Sequence, residues 1–228
     1  MANPVICHAA GGFSKARGEA TLWRSAAGRW QAASVKQNEV LLIGGRAGVG
    51  KTTVGWEVSA QLRAADIAHV VVEGDCLGQV HPAPEGDPRR SAIVERNLAA
   101  MWTNYTELGY RRLIYTNPLS VLSDAVCMFE RVMGSDVRLV RVLLTATDAT
   151  AGERLAGREL GSELEKEIES SVYKARLLDE QAPADIARVV TDSRSVVDIA
   201  RQVVATTGWI SPVPYEKSVA QGQCLPPL

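Results

Sequence analysis

The sequence has few cysteines and histidines for its length. Among 228 residues there are four cysteines and three histidines, and the cysteines are far apart in the chain. None of them forms the C-x-x-C pair that is common in zinc sites and redox centres. This composition argues against a disulfide framework and against a His-rich or Cys-rich metal site, and it predicts free thiols in a reducing cytoplasm.

Long apolar runs and an excess of charge of either sign are also missing. No stretch approaches the ~18 apolar residues of a membrane span, and the first residues lack the basic and apolar regions of a secretory signal. Lys plus Arg number 25 and Asp plus Glu number 26, so the formal net charge is -1. Nucleic-acid binders and binders of anionic membranes usually carry a basic excess. We therefore expect a cytoplasmic protein with neither kind of partner.

Regular patterning is confined to the middle of the chain. Residues 1–38 are rich in Ala, Gly and Ser and show no sustained period, whereas residues 211–228 are rich in proline. We predict a loosely ordered extension over 1–38, one domain over 39–210 and an irregular tail over 211–228. The extension contains Trp23 and Trp30, which are unusual in disordered segments and leave docking of the extension on the domain open.

Within the domain, short apolar runs alternate with amphipathic stretches. Five runs are typical of buried strands, and they begin at Val40, Ala68, Arg112, Val137 and Arg188. Signals for helix starts stand between them, namely Asp87-Pro88, Ser120, Thr150-x-x-Glu153 and Ser195-x-x-Asp198. The alternation predicts an α/β fold with a five-stranded parallel sheet covered on both faces. Ligands of such sheets bind at the carboxyl ends of the strands, so functional residues are expected there.

One motif in the chain carries a specific chemistry. Residues 45–52 read G-R-A-G-V-G-K-T and match G-x-x-x-x-G-K-[ST] at every fixed position, after an apolar run and before an amphipathic stretch. Glycines allow successive N–H groups to surround an anion, and the following helix points its positive end at the same place. We predict that the loop cradles the phosphates of ATP, that Lys51 neutralises their charge and that Thr52 binds Mg²⁺. The predicted nucleotide-binding residues are Gly45, Arg46, Ala47, Gly48, Val49, Gly50, Lys51, Thr52 and Thr53.

The segment Val40–Thr53 resembles the phosphate-binding loop of P-loop kinases that act on small molecules. Glu73-Gly74-Asp75 is similar to the acidic motif of gluconate kinases, adenylyl-sulfate kinases and chloramphenicol phosphotransferases. The resemblance covers residues 39–208. It implies a P-loop NTPase fold, a three-layer α/β/α sandwich with strand order 2-3-1-4-5 and a small helical lid. It also implies phosphate transfer from ATP to a hydroxyl of a small-molecule acceptor.

Asp75 is the predicted catalytic acid–base residue. It follows a buried strand and should lie beside the phosphate loop, where a carboxylate can accept or orient the proton of an attacking hydroxyl. It could also hold Mg²⁺ through water. Glu73 is expected to point to the opposite side of the strand and ranks below Asp75.

Arg154 and Arg158 are four residues apart and should share one helix face. The resemblance implies that they are lid arginines, which clamp the phosphoryl group during transfer, with Gly157 and Gly161 as hinges. Among Arg89, Arg90 and Arg96, we select Arg96 as the contact to an anionic group of the substrate.

The third strand lacks the terminal Asp of a Walker-B site, because Thr116-Asn117-Pro118 stands there. The absence of this Asp argues against a nucleotide-hydrolysing motor protein and against a GTPase switch. Asn117 either binds substrate or only begins a turn before Pro118. The loop 191–193 is expected to border the adenine.

Several alternatives to a small-molecule kinase stay open. They are a nucleotide or nucleoside kinase, an antibiotic-inactivating phosphotransferase and a non-catalytic ATP-binding regulatory protein. A dinucleotide site is set aside because G-x-G-x-x-G is missing, and GTP specificity has no support because N-K-x-D is missing. The expected oligomeric state is a monomer or a homodimer.

Overall fold

A computed structural model describes residues 37–157 and 164–210 of the chain. Its strands are β1 (Glu39–Gly44), β2 (Val70–Glu73), β3 (Arg112–Thr116), β4 (Arg138–Thr145) and β5 (Ala187–Val190). Its helices are α1 (Lys51–Ala64), α2 (Gly74–Leu77), α3 (Ser91–Glu107), α4 (Ser123–Met133), α5 (Asp148–Ala156), α6 (Leu164–Gln181) and α7 (Val196–Thr207). The proposed tail and nearly all of the proposed N-terminal extension lie outside these ranges.

The five strands form one parallel sheet in the order β2-β3-β1-β4-β5, which confirms the predicted order. In the register of the sheet, Ile43 of β1 lies beside Thr116 of β3 on one side and Val142 of β4 on the other. The central strand β1 therefore ends between two others. The loop that follows it has neighbours on both sides, which gives a phosphate site a rigid base.

Both faces of the sheet are covered by apolar packing, as expected of parallel strands. Leu41 and Ile43 face a cluster that includes residues of α1 and α7, while Leu42 faces a second cluster that includes residues of α3, α4 and α6. Both clusters contain side chains with no solvent exposure, such as Val58 in the first and Phe129 in the second. Because strand side chains alternate between the faces, the continuous apolar run of β1 fills both clusters. The result is the predicted three-layer α/β/α arrangement.

Two predicted helix starts were misplaced. The sequence predicts that a helix begins at Pro88, directly after Asp87, but helix α3 begins at Ser91. The Asp87 carboxylate still accepts the backbone N–H of Ile93 at 3.1 Å. Helix α4 begins at Ser123 rather than at Ser120. The Ser120 hydroxyl donates to the Asn117 carbonyl at 3.0 Å, so it closes a turn and does not cap a helix.

Of the remaining two predicted helix starts, the one for α5 is displaced and the one for α7 is confirmed. Helix α5 begins at Asp148, and Thr147 is its N-cap, accepting the backbone N–H of Thr150 at 3.2 Å. Thr150 is therefore within the first turn and not the cap. The prediction for α7 is confirmed, because the Ser195 hydroxyl accepts the backbone N–H of Asp198 at 3.1 Å.

Candidate active site

The phosphate loop joins β1 to α1 and is packed tightly at two of its glycines. Gly45 has a φ of 139° and Gly48 a φ of 83°, both in a region that favours glycine. A Cβ at Gly45 would lie 2.6 Å from the carbonyl oxygen of Leu144, and one at Gly48 would lie 2.4 Å from that of Ala151. Side chains at these positions would push the loop away from β4 and α5. Two of the motif glycines are thus required by the packing as well as by the backbone conformation.

The amino end of α1 is open to an anion. Gly50 is the N-cap residue, no described side chain caps the helix, and the first turn holds no acidic residue. The first N–H groups of a helix have no partner within the helix, and the helix dipole makes this end positive. Together with the glycine loop, these groups provide the donors that a phosphate chain requires.

Lys51 stands at the start of α1 and reaches back over the loop. Its ammonium group donates to the carbonyl oxygen of Arg46 at 3.0 Å. The side chain therefore lies along the loop, next to the N–H groups that would hold an anion.

Thr52 contacts an acidic residue that the sequence reasoning had ranked low. The Thr52 hydroxyl donates to Oε2 of Glu73 at 3.3 Å, and the indole N–H of Trp56 donates to Oε1 of the same carboxylate at 2.9 Å. Glu73 therefore faces the first turns of α1, next to the phosphate loop. Its rank below Asp75 stays a prediction.

Asp75 lies just beyond β2, in the short helix α2, and is held by Asn117. The side-chain amide of Asn117 donates to Oδ1 of Asp75 at 2.8 Å. Asn117 also begins a turn, since its side-chain oxygen accepts the backbone N–H of Leu119 at 3.2 Å. The two predicted residues are thus brought together, and the turn fixes the amide that orients the carboxylate.

A buried phenol lies under this pair. A Cβ at Gly74 would be 2.2 Å from the hydroxyl oxygen of Tyr115, so the backbone of α2 rests directly on the phenol. Burial raises the pKa of Tyr115, and the nearby Asp75 carboxylate raises it further. The phenol is therefore protonated at neutral pH and packs against α2 without adding a negative charge.

Arg154 joins the phosphate loop to the end of β5. Its guanidinium donates to the carbonyl oxygen of Gly48 at 3.3 Å, and to the hydroxyl and carbonyl oxygens of Thr191 at 3.1 Å each. Its proposed role as a phosphoryl clamp stays a prediction. Arg158 and Gly161 lie outside the described residues. Gly157 has a φ of −75°, which any residue can adopt, so a hinge there would not depend on glycine.

Beside Arg154, the loop after β5 is tied to the start of α5. The Asp192 carboxylate accepts the backbone N–H of Thr147 at 3.1 Å and its hydroxyl at 2.8 Å. Hydrogen bonds from Thr150 and Thr147 lower the pKa of Asp192 to about 2. The carboxylate thus stays ionised through the physiological range and holds this loop against α5.

The structure does not bring Arg96 toward Asp75. On α3, Val94 packs against Gly78 and the Asn97 amide donates to the Leu77 carbonyl at 2.8 Å, so these residues define the side facing α2. Arg96 is two positions from Val94, a rotation of about 200° around the helix, and it is exposed. Arg90 lies nearer to α2, because its Nε donates to the carbonyl oxygen of Val80 at 3.0 Å. The choice of Arg96 among the three arginines therefore has no support from the geometry.

The oxygen atoms around the phosphate loop are of the kind that bind the Mg²⁺ of a magnesium–nucleotide complex. Mg²⁺ prefers oxygen ligands, and the Thr52 hydroxyl and the Glu73 carboxylate supply such atoms next to the phosphate loop. The described ranges contain no group of three or more His, Cys, Asp or Glu side chains that could hold a metal ion. Mg²⁺ would therefore need phosphate oxygens and water to complete its shell, as is usual for this ion in phosphate sites.

Comparison with known proteins finds similarity in structure and none in sequence. No protein-family model matches the chain, and no curated protein matches it. The tunicamycin resistance protein of Deinococcus radiodurans matches with a TM-score of 0.53 and 20% identity over 75% of this chain and 96% of that one. A gluconokinase from Sinorhizobium meliloti 1021 matches with a TM-score of 0.49 and 16% identity over 75% and 91% of the two chains.

A third match is the APS kinase of Mycobacterium tuberculosis in complex with AMPPNP and APS. Its TM-score is 0.45, with 18% identity over 75% of this chain and 97% of that one. In the parts of the chain that the structure describes, no helix combines the length and apolarity of a membrane span. The match with a TM-score of 0.53, together with the strand order, shows that the chain has the α/β P-loop fold that its sequence resembles.

Proposed function

We propose that the protein is an ATP-dependent phosphotransferase that moves the γ-phosphate to a hydroxyl of a small molecule. The observation that carries the proposal is the arrangement at the carboxyl edge of the sheet. There, a phosphate loop with an open helix end lies close to an acidic segment in which Asp75 is fixed by Asn117. A phosphate site beside an oriented carboxylate is what transfer to a hydroxyl requires.

Each residue has a role that follows from its position. The loop N–H groups and Lys51 hold the phosphates and stabilise the charge that develops on them. Asp75 orients the acceptor hydroxyl and takes its proton as the oxygen bonds to the γ-phosphorus and the bond to the ADP oxygen breaks. Arg154 and Arg158 are proposed to stabilise the phosphoryl group in transfer.

Glu73 supports a refined proposal for the metal. We assign Mg²⁺ binding to Thr52 with Glu73, in place of Asp75, because Glu73 is the carboxylate that contacts the Thr52 hydroxyl. The ion would neutralise phosphate charge and orient the phosphates. Trp56 fixes the other oxygen of Glu73, and such outer contacts keep a carboxylate in position for a metal or for its bound water.

Replacing Glu73 by glutamine should raise the Mg²⁺ concentration needed for half-maximal activity by about tenfold, the lower range for loss of a supporting group near a metal. Saturating Mg²⁺ should restore most of the rate. A Mg²⁺ titration of ATP-dependent transfer measures the effect. The matched control is Glu57→Gln, because Glu57 is also on the α1 side but contacts Gln61 instead of Thr52. An unchanged Mg²⁺ requirement in Glu73→Gln would return the metal role to Asp75.

The acceptor is the open part of the proposal. ADP release by the purified protein should be measured against sugars, nucleosides, adenylyl sulfate and antibiotics. Antibiotics belong in the set because the chloramphenicol-type enzymes share the motif and because one structural match is a tunicamycin resistance protein. Release with one class and not the others would identify the acceptor. ATP binding without transfer to any of them would favour the regulatory alternative.

We further propose that residues 37–212 suffice for nucleotide binding. All strands of the sheet and all described contacts of the phosphate loop lie within 37–210. Removal of residues 1–36 and 213–228 should therefore leave the affinity for ATP within a few-fold of the full chain, as calorimetry would measure. A large loss would instead mean that the segment containing Trp23 and Trp30 contributes to the domain.

A further inference from the structure

A buried arginine connects the phosphate loop to the two helices beyond β4. Arg46 is 5% exposed, and its Nε donates to the hydroxyl of Ser171 on α6 at 2.8 Å. Its terminal nitrogen forms an ion pair with Asp148 at the start of α5. Arg46 is among the residues predicted to bind the nucleotide. The structure shows that its side chain contacts both helices that flank residues 158–163.

The hydrogen-bond chemistry at Ser171 allows one arrangement. A guanidinium nitrogen is only a donor, so the Ser171 oxygen must be the acceptor in its contact with Arg46. The single proton of the hydroxyl is then directed to its other partner, the carbonyl oxygen of Ala47, at 2.9 Å. Ser171 has no solvent exposure, so water cannot readily replace either bond. The charge of Arg46 thereby strengthens the bond that reaches the loop.

This contact completes a pattern along the loop. Three consecutive carbonyl oxygens accept side-chain donors, since Arg46 is bound by Lys51, Ala47 by Ser171 and Gly48 by Arg154. In a planar trans peptide, the N–H of the next residue points opposite to the carbonyl. Because Ser171 is buried, its bond fixes the Ala47 carbonyl toward the protein interior and turns the following N–H, that of Gly48, away from α6, where we place the phosphate.

Packing alone does not hold Arg46 in this position. The side chain borders a small cavity of about 60 Å³ between the end of β4 and α6, which is also lined by Leu144, Ala175 and Leu178. Apolar packing therefore encloses only part of the guanidinium, and its bonds to Ser171 and Asp148 also fix its position. The orientation of the loop therefore depends on the hydrogen bonds from Arg46 through Ser171.

We propose that Arg46 and Ser171 are positioning residues that set the Ala47 peptide for phosphate binding and make nucleotide affinity depend on the position of α6. The inference rests on the proposed function. Neither side chain needs to touch the nucleotide, because Ser171 acts through the Ala47 carbonyl and Arg46 acts through Ser171. Binding of ATP and docking of the α6 helix on the loop are then mutually supporting.

The test is the affinity of the full chain for ATP and for tripolyphosphate, measured by calorimetry. Ser171→Ala should weaken both by about tenfold, the scale of one lost buried hydrogen bond with a charged neighbour. Arg46→Met should act similarly. The double variant should lose little more than Ser171→Ala alone, because the two side chains act in series. If the two substitutions caused independent structural defects, their losses of affinity would add in the double variant.

The matched control is Ser59→Ala. Ser59 is another buried helix serine, 1% exposed, with hydrogen bonds to His69 and Arg63 and no contact with the phosphate loop. The Ser59→Ala variant should unfold at a lower temperature and keep the wild-type affinity for ATP and tripolyphosphate. Wild-type affinity in both Ser171→Ala and Arg46→Met, or an equal loss in Ser59→Ala, would overturn the inference and leave the kinase proposal intact. Failure of the wild-type protein to bind either ligand would overturn both.

Discussion

Replacement of Lys51 by alanine is expected to lower ATP-dependent phosphate transfer by several orders of magnitude. Its ammonium group lies along the phosphate loop and donates to the Arg46 carbonyl. Negative charge shifts toward the ADP oxygen as the phosphoryl group is transferred, and a fixed cation nearby stabilises that state most. No other residue of the motif carries a cation that can take this place, because Arg46 is engaged with Ser171 and Asp148.

The fold should persist in the Lys51 variant. The side chain is half-buried at the first residue of α1 and is not part of the apolar core, so its removal opens no core cavity and thermal unfolding should change little. Transfer is measured as ADP release with the acceptor found by the screen. Arg201→Ala is the control, since Arg201 is an exposed cation of α7 that pairs only with Asp198 of its own helix among the described residues. Normal turnover in Lys51→Ala would remove the phosphate-loop assignment.

Replacement of Asp75 by asparagine should lower transfer by about 10² or more, the usual scale for loss of a positioned acid or base. Affinity for ATP should change only a few-fold, because it depends on the loop and Lys51. The substitution is nearly isosteric, and an amide oxygen can still accept the Asn117 bond that the carboxylate now accepts at 2.8 Å. What is lost is the charge and the ability to take a proton.

Two measurements on this variant separate the alternatives. ATP affinity by calorimetry reports binding, and single-turnover transfer reports chemistry. Asp124→Asn serves as the control, because Asp124 is an exposed carboxylate in the first turn of α4. Equal transfer by Asp75→Asn and wild type would exclude Asp75 from the mechanism. Negligible transfer by the wild type with every acceptor would favour the regulatory alternative.

The local features of this fold were readable from the sequence. The apolar runs predicted all five strands, because a short continuous apolar run suits a strand covered on both faces. The order of the strands followed from the resemblance. The phosphate loop was equally clear, since its glycines are required at fixed spacing by the backbone itself. Helix starts were less so, because Asp, Ser and Thr also close turns, as Ser120 does.

Contacts between distant parts of the chain were not predicted, for physical reasons. Glu73 was ranked low because it was expected on the side of β2 opposite Asp75, and the pattern of a strand says nothing about which helix covers each side. Ser171 is 125 positions from Arg46, and no local pattern distinguishes it from other helix serines. Such contacts are set by how α6 packs on the loop, which periodicity does not encode.

The bond between Trp56 and Glu73 gives the protein an optical reporter of its own site. Trp56 is 50% exposed, whereas Trp102 and Trp209, the other described tryptophans, are each 4% exposed. An aqueous quencher such as iodide would therefore select Trp56 among these three. Because its indole N–H is bonded to the carboxylate assigned to the metal, any ligand that withdraws or reorients Glu73 changes the environment of the emitting ring. Emission of this residue would thus follow the proposed binding of metal and nucleotide without any added label.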